Sequence, residues 1–82
     1  MKLFNYVAFS EGLSSDEREK MLQFIEMVAW TGPLLVASTI GEAPAYWFDC
    51  EYSIQELSEL VKSKCPVNFR WRSATMDEAL LL

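Results

Sequence analysis

Two segments of the chain carry the same signal for the start of a helix. Serine and glutamate stand three positions apart at 14–17 and again at 53–56, which is the spacing of a capping box. Apolar residues recur at helical spacing after each box, so we predict helices over residues 15–30 and from 53 to the Cys65-Pro66 pair. Gly32-Pro33 favours the end of the first helix, because glycine permits a left-handed stop and proline cannot continue the helix.

Four further segments have the composition or the alternation of β-strands: residues 2–9, 34–40, 45–52 and 67–72. Gly41 permits a tight hairpin turn, so the second and third strands should pair antiparallel. A third capping signal at 75–78 predicts a short C-terminal helix. The order β-α-β-β-α-β predicts one α+β domain over residues 1–82, with a ferredoxin-like four-stranded antiparallel sheet and two helices on one face.

Side-chain alternation along the strands assigns each residue to one face of the sheet. On the side that the helices cover, we expect Leu3, Val7, Phe9, Tyr46, Phe48, Cys50, Val67, Phe69 and Trp71. On the opposite side, we expect Phe4, Tyr6, Trp47, Asp49, Glu51, Arg70 and Arg72. These aromatic, acidic and basic side chains would form neighbouring columns, because the first strand of this topology lies between the third and the fourth.

An exposed apolar surface of this kind rarely lacks a purpose in a monomer. Three interpretations stay open: the C-terminal helix covers the surface, two copies of the chain stack on it as a homodimer, or it binds another molecule. The chain also ends on three apolar residues that are poorly accommodated in water. We expect them to dock on their own chain, on a second copy or on a target: Leu80, Leu81 and Leu82.

The charge balance limits the kinds of partner. A net charge of −5 disfavours nucleic-acid binding, which depends on phosphates neutralised by lysine and arginine, whereas a basic protein partner suits it. No apolar run reaches the roughly 18 residues of a membrane span, and the first residues lack the pattern of a signal peptide. We therefore expect a cytoplasmic protein with no membrane partner, in which Cys50 and Cys65 are buried thiols.

The chain offers little for catalysis, and we expect no enzyme. It contains no histidine, which removes the commonest general base and most transition-metal sites. Asp49 and Glu51 would stand about 7 Å apart on one strand face as an acid and base pair, although such pairs are usually solvated. No phosphate loop, dinucleotide fingerprint, calcium loop or zinc spacing is present, so no cofactor or metal is expected. Met21, Phe24 and Met27 are assigned to the core.

Aromatic residues on the first and third strands give the chain a resemblance to the RNA-recognition motif, in placement only. The octet at 45–52, AYWFDCEY, lacks the basic residue and the glycine that open that family's signature, and its two acids would repel phosphate. In size, acidity and lack of catalytic groups, the chain resembles the compact inhibitors that phages and mobile elements encode, including anti-CRISPR proteins.

These observations predict a small non-catalytic protein-binding module, an inhibitor or adaptor that acts by surface occlusion and can form a homodimer. The first alternative is a single-stranded nucleic-acid-binding domain that uses the aromatic sheet face. The second alternative is a small cofactor-free enzyme that works as a dimer.

Overall fold

A computed structural model describes residues 2–36 and 43–74. In chain order, these residues form β1 (Phe4–Phe9), α1 (Ser15–Val28), β2 (Thr31–Val36), β3 (Ala45–Cys50), α2 (Ile54–Lys64) and β4 (Arg70–Ser73). The strands form one antiparallel sheet in the order β2-β3-β1-β4, so β1 and β3 are central. The predicted α+β class, with two helices and a four-stranded antiparallel sheet, is confirmed.

Both helices begin where the capping boxes predict. The Ser14 hydroxyl accepts the N–H of Glu17 at 3.2 Å, and the Glu17 carboxylate accepts the N–H of Ser14 at 3.0 Å. The same reciprocal pair joins Ser53 and Glu56, at 3.4 and 3.0 Å. These hydrogen bonds favour the ionised carboxylate and hold the pKa of Glu17 and of Glu56 below the usual range. Each box therefore satisfies backbone donors that the first helical turn leaves without partners.

Substitution of Ser53 by alanine is expected to lower the free energy of unfolding by about 1 kcal/mol, because the N–H of Glu56 loses its capping acceptor. Urea denaturation of the two proteins measures this difference. Ser63→Ala is the matched control, since the Ser63 hydroxyl only bonds back to the Glu59 carbonyl within the same helix. A control that destabilises as much as Ser53→Ala would contradict the capping role.

Helix α1 ends at Val28, before the predicted end near residue 30. Ala29 is already extended, and the N–H of Trp30 donates to the carbonyl of Asp49 at 2.7 Å. Pairing with β3 thus begins where the helical pattern was expected to continue. Gly32 lies inside β2 and has no positive φ, so the predicted left-handed stop at this glycine is wrong. Within residues 2–36 and 43–74, a glycine takes a positive φ only in the earlier turn, at Gly12 with φ of 79°.

Strand β2 begins at residue 31, before the predicted start at 34, and contains a bulge. Thr31 pairs with Asp49 and Leu34 with Trp47, so β2 has one more residue than β3 between these two pairs. Strand β3 ends at Cys50, two residues before its predicted end, and β4 begins at Arg70, three residues after its predicted start. The predicted end of the second strand, the first half of the hairpin turn and the C-terminal helix with Leu80, Leu81 and Leu82 lie outside the described residues.

The core lies between the helices and one face of the sheet. Both helices and both central strands contribute to it, so the two helices cover the same face. Its buried members are Tyr6, Ala8, Met21, Phe24, Ile25, Phe48, Cys50, Leu57 and Val61. Residues before and within β4 pack against its margin as predicted: Val67, Phe69 and Trp71.

The predicted facing of β1 is wrong. Tyr6 pairs with Phe48 and belongs to the helix-covered core, and Phe4 packs against that core. Val7 and Phe9 therefore face away from the helices. Both phases of β1 are apolar, so alternation alone does not choose between them. The small Ala8 side chain suits a position directly under helices, and the buried Tyr6 hydroxyl donates to the Tyr52 carbonyl at 2.6 Å.

Candidate protein-binding surfaces

The face away from the helices carries four of the predicted contact residues: Trp47, Asp49, Arg70 and Arg72. From β1 it carries Val7 and Phe9 in place of Phe4 and Tyr6. The register brings these together, since Val7 pairs with Trp47 on one side and with Arg72 on the other. The predicted juxtaposition of aromatic, acidic and basic columns therefore exists with different residues in its β1 column.

The centre of this face is not open to a partner. Val7 is 2% exposed and Trp47 is 4% exposed. A fully solvated sheet face would leave both side chains largely accessible, so their burial shows that the face is covered at its centre. The prediction that Trp47 is displayed for contact is therefore wrong. The indole N–H of Trp47 is buried and has no acceptor within residues 2–36 and 43–74.

Asp49 has a structural task at this face. Its carboxylate accepts the backbone N–H of Thr31 at 2.7 Å, and its backbone carbonyl accepts the N–H of Trp30. The side chain, which is buried, thereby links the first residue of β2 to β3 by a hydrogen bond. Glu51 is exposed and follows the last residue of β3, so the two carboxyl groups stand in different environments. They do not form the equivalent pair on one strand face that the sequence suggested.

The basic residues of β4 lie at the rim of the same face. The guanidinium groups of Arg70 and Arg72 lie 5.5 and 5.6 Å from the centre of the Phe9 ring. Arg70 also forms a salt bridge with Glu11 at 3.0 Å, in which both side chains are exposed. Exposed ion pairs and cation–π contacts stabilise by about 1 kcal/mol or less each. The predicted basic column is therefore present and already interacts with an aromatic and an acidic group of its own chain.

Neither thiol has the environment of a reactive cysteine. Cys50 is buried and Cys65 is half-buried, and both are free. Burial raises the pKa of each thiol, which reduces the thiolate available at neutral pH. The expectation of buried thiols thus holds fully for Cys50 and in part for Cys65.

Large apolar side chains are also exposed at positions outside the predicted contact residues. Met27 is 64%, Trp30 63% and Leu35 52% exposed, and Ile54 is similarly accessible. Assigning Met27 to the core was wrong because Val28, one position later, continues the stripe of buried α1 residues. The exposure of Trp30 was not predicted, because helical periodicity placed this residue at the end of the first helix. The one available signal was its position two residues before the Gly32-Pro33 pair.

Two hollows lie on the helical side of the molecule. The first has a volume of about 190 Å³ and combines apolar and basic residues of α1 with residues at and after the end of α2: Lys20, Gln23, Phe24, Met27, Lys64 and Pro66. The second has a volume of about 300 Å³ and is acidic, with lining residues Tyr52, Glu56, Glu59, Leu60 and Ser63. Both hollows therefore combine apolar surface with charge, but the charges have opposite sign.

Comparison of the chain with protein-family models, curated proteins and solved structures finds no match. Function must therefore be argued from the residues themselves. Neither helix in the described part of the chain is long and apolar enough to cross a membrane. Within the same residues, no three cysteine or carboxylate side chains come together as a metal-binding group.

Proposed function

We propose that this protein is a non-catalytic protein-binding module, an inhibitor or adaptor that acts by covering a surface of its partner. The contact surface in this proposal is the margin of the sheet at β2, not the sheet centre. One observation carries it: Trp30 and Leu35 are each more than half exposed beside an edge strand. Tryptophan is among the residues most enriched at the energetic centres of protein interfaces.

Trp30 and Leu35 lie on the same side of β2. Leu35 pairs with Tyr46, whose side chain packs against the helix-covered core. Thr31 pairs with Asp49 on the opposite side, so Trp30, one residue earlier, has the phase of the helix side. The extra residue of the bulge shifts the alternation of β2 by one position, so Leu35 also faces the helix side. The two side chains thus form one margin, beside the helix α1.

Side-chain anchoring suits this margin better than continuous strand addition. Pro33 has no N–H to donate and the bulge interrupts the regular ladder, which are both devices that protect edge strands from pairing. Within the part of β2 that the structure describes, only residues 34–36 pair regularly with β3. We therefore propose a partner that presents apolar side chains to Trp30 and Leu35. The net charge of −5 favours a basic partner through long-range steering.

We also propose that the fold is ferredoxin-like. The strand order β2-β3-β1-β4, with α1 after β1 and α2 after β3, supports this arrangement. We propose a cytoplasmic location as well, as the sequence leads us to expect. The nucleic-acid and enzyme alternatives receive no support from a specific observation. Tyr6 and Trp47, the rings on which base stacking would depend, are both buried.

Trp30→Ala is expected to weaken binding to the partner by about 30-fold or more, which corresponds to the 2 kcal/mol typical of an interface hot spot. A tagged wild-type chain would first capture the partner from a lysate of the source organism. Titration calorimetry with the purified partner would then compare the wild type, Trp30→Ala and Leu35→Ala. Ile54→Ala is the matched control, because Ile54 is exposed to a similar degree outside the margin. Equal affinity for Trp30→Ala and the control would overturn the proposed surface.

A further inference from the structure

The two charged hollows follow one another along α2. Leu60 lines the acidic hollow and Lys64 lines the basic one, and these residues are one helical turn apart on the same flank of the helix. Glu56 lies one turn before Leu60. The distance from Glu56 to Lys64 is about 12 Å along the axis at about 1.5 Å per residue. This flank therefore changes from acidic to basic, with an apolar residue at its midpoint.

Such a surface is complementary to itself after a rotation of 180°. A two-fold axis near Leu60 places the acidic end of one copy against the basic end of the other, and the reverse contact follows by symmetry. We infer that two copies of this chain associate through the helical face, with Glu56 of each copy near Lys64 of its partner copy and Leu60 near the axis.

The groups at both ends of the flank are available for this contact. The salt bridge found within residues 2–36 and 43–74 joins Arg70 to Glu11, so neither Lys20 nor Lys64 is in such a bridge there. The Ser53 N–H keeps the pKa of Glu56 low, so this carboxylate is ionised at neutral pH. Met27 is exposed on the rim of the basic hollow. In the dimer, part of its apolar side chain would be buried away from water, which favours association.

A second copy accounts for both signs of charge, whereas a uniformly basic or acidic partner would match only one hollow. The net charge of −5 on each chain opposes association. At physiological salt this general repulsion is screened beyond about 8 Å, but charges in direct contact are screened much less. Whether two copies associate therefore depends on how well the charges in direct contact complement each other. This surface shares no residue with the margin of Trp30 and Leu35, so each proposal can fail without the other.

Charge exchange tests the dimer. Lys64→Glu makes the flank acidic at both ends and Glu56→Lys makes it basic at both ends, so each variant alone is expected to raise the dissociation constant of the dimer at least about tenfold. An equimolar mixture of the two variants is expected to restore association, since the acidic copy then matches the basic copy. Sedimentation velocity at sub-millimolar protein concentration measures all of these species.

Two controls separate association from folding. Lys62→Glu makes the same charge change in the same last turn of α2, and Glu17→Lys removes the equivalent partner of the other capping box. Both controls are expected to dimerise as the wild type does. A monomeric wild type, controls that weaken the dimer as much as the test variants, or a mixture that stays monomeric would each overturn the inference.

Discussion

Replacing Phe48 with alanine is expected to lower the free energy of unfolding by about 3–5 kcal/mol, which is the usual effect of removing a fully buried aromatic side chain. Phe48 lies in the central strand β3, beneath both helices, and its ring centre is 5.6 Å from that of Tyr6. A domain of this size is stable by about 5–10 kcal/mol, so the variant would retain a small part of that margin.

Urea or thermal denaturation followed by circular dichroism measures this loss. Leu35→Ala is the comparison, because Leu35 is half exposed and its truncation leaves no enclosed cavity. We expect the comparison variant to lose less than about 1 kcal/mol. Similar losses for Phe48→Ala and Leu35→Ala would mean that the centre of β3 is not the centre of the core.

Local signals predicted the helices and the order of elements well, because each depends on few neighbouring residues. A capping box is complete within four residues, and both boxes form as the spacing required. Alternation in β4 also placed Trp71 toward the core and the two arginines away from it. In each case only one phase of the pattern is apolar, so packing has a single solution.

The candidate site was less predictable because its residues are selected by tertiary contacts. In β1, Leu3, Val7 and Phe9 compete with Phe4, Tyr6 and Ala8 for the core, and hydrophobicity does not distinguish the two sets. The choice is made by cross-strand pairing with Phe48 and by the hydrogen bond of the Tyr6 hydroxyl. A sequence pattern contains neither piece of information.

Exposure at the margin of the sheet has a similar origin. Trp30 was assigned to α1 because the helical periodicity could extend to it, but its N–H pairs with Asp49 and starts the edge of the sheet. Leu35 faces the helix side and is still half exposed, because an edge strand has a neighbour on one side only. The covered centre of the far face and the exposed β2 margin together move the expected contact surface from the middle of the sheet to its edge.

Tyr6 is expected to make stability sensitive to alkaline pH. Burial is the main cause that raises the pKa of Tyr6 from 10.0 to about 12, and the nearby Cys50 and Glu56 add to it by repelling a phenolate. Between these two pH values, the folded chain keeps a phenol proton that the unfolded chain has released. Rising pH therefore favours unfolding, and the stabilisation from the neutral phenol is complete only below about pH 10.

Tyr6→Phe separates this effect from all other titrations. At pH 8 the wild type should be more stable than the variant by about 1 kcal/mol, because the variant lacks the hydrogen bond to the Tyr52 carbonyl. By pH 11 the wild type should have lost about 1.4 kcal/mol relative to the variant, since one pKa unit corresponds to about 1.4 kcal/mol. Urea denaturation of both proteins from pH 8 to 11.5 should show their order of stability invert near pH 11. A constant difference across this range would mean that the Tyr6 phenol ionises as readily in the folded chain as in the unfolded one.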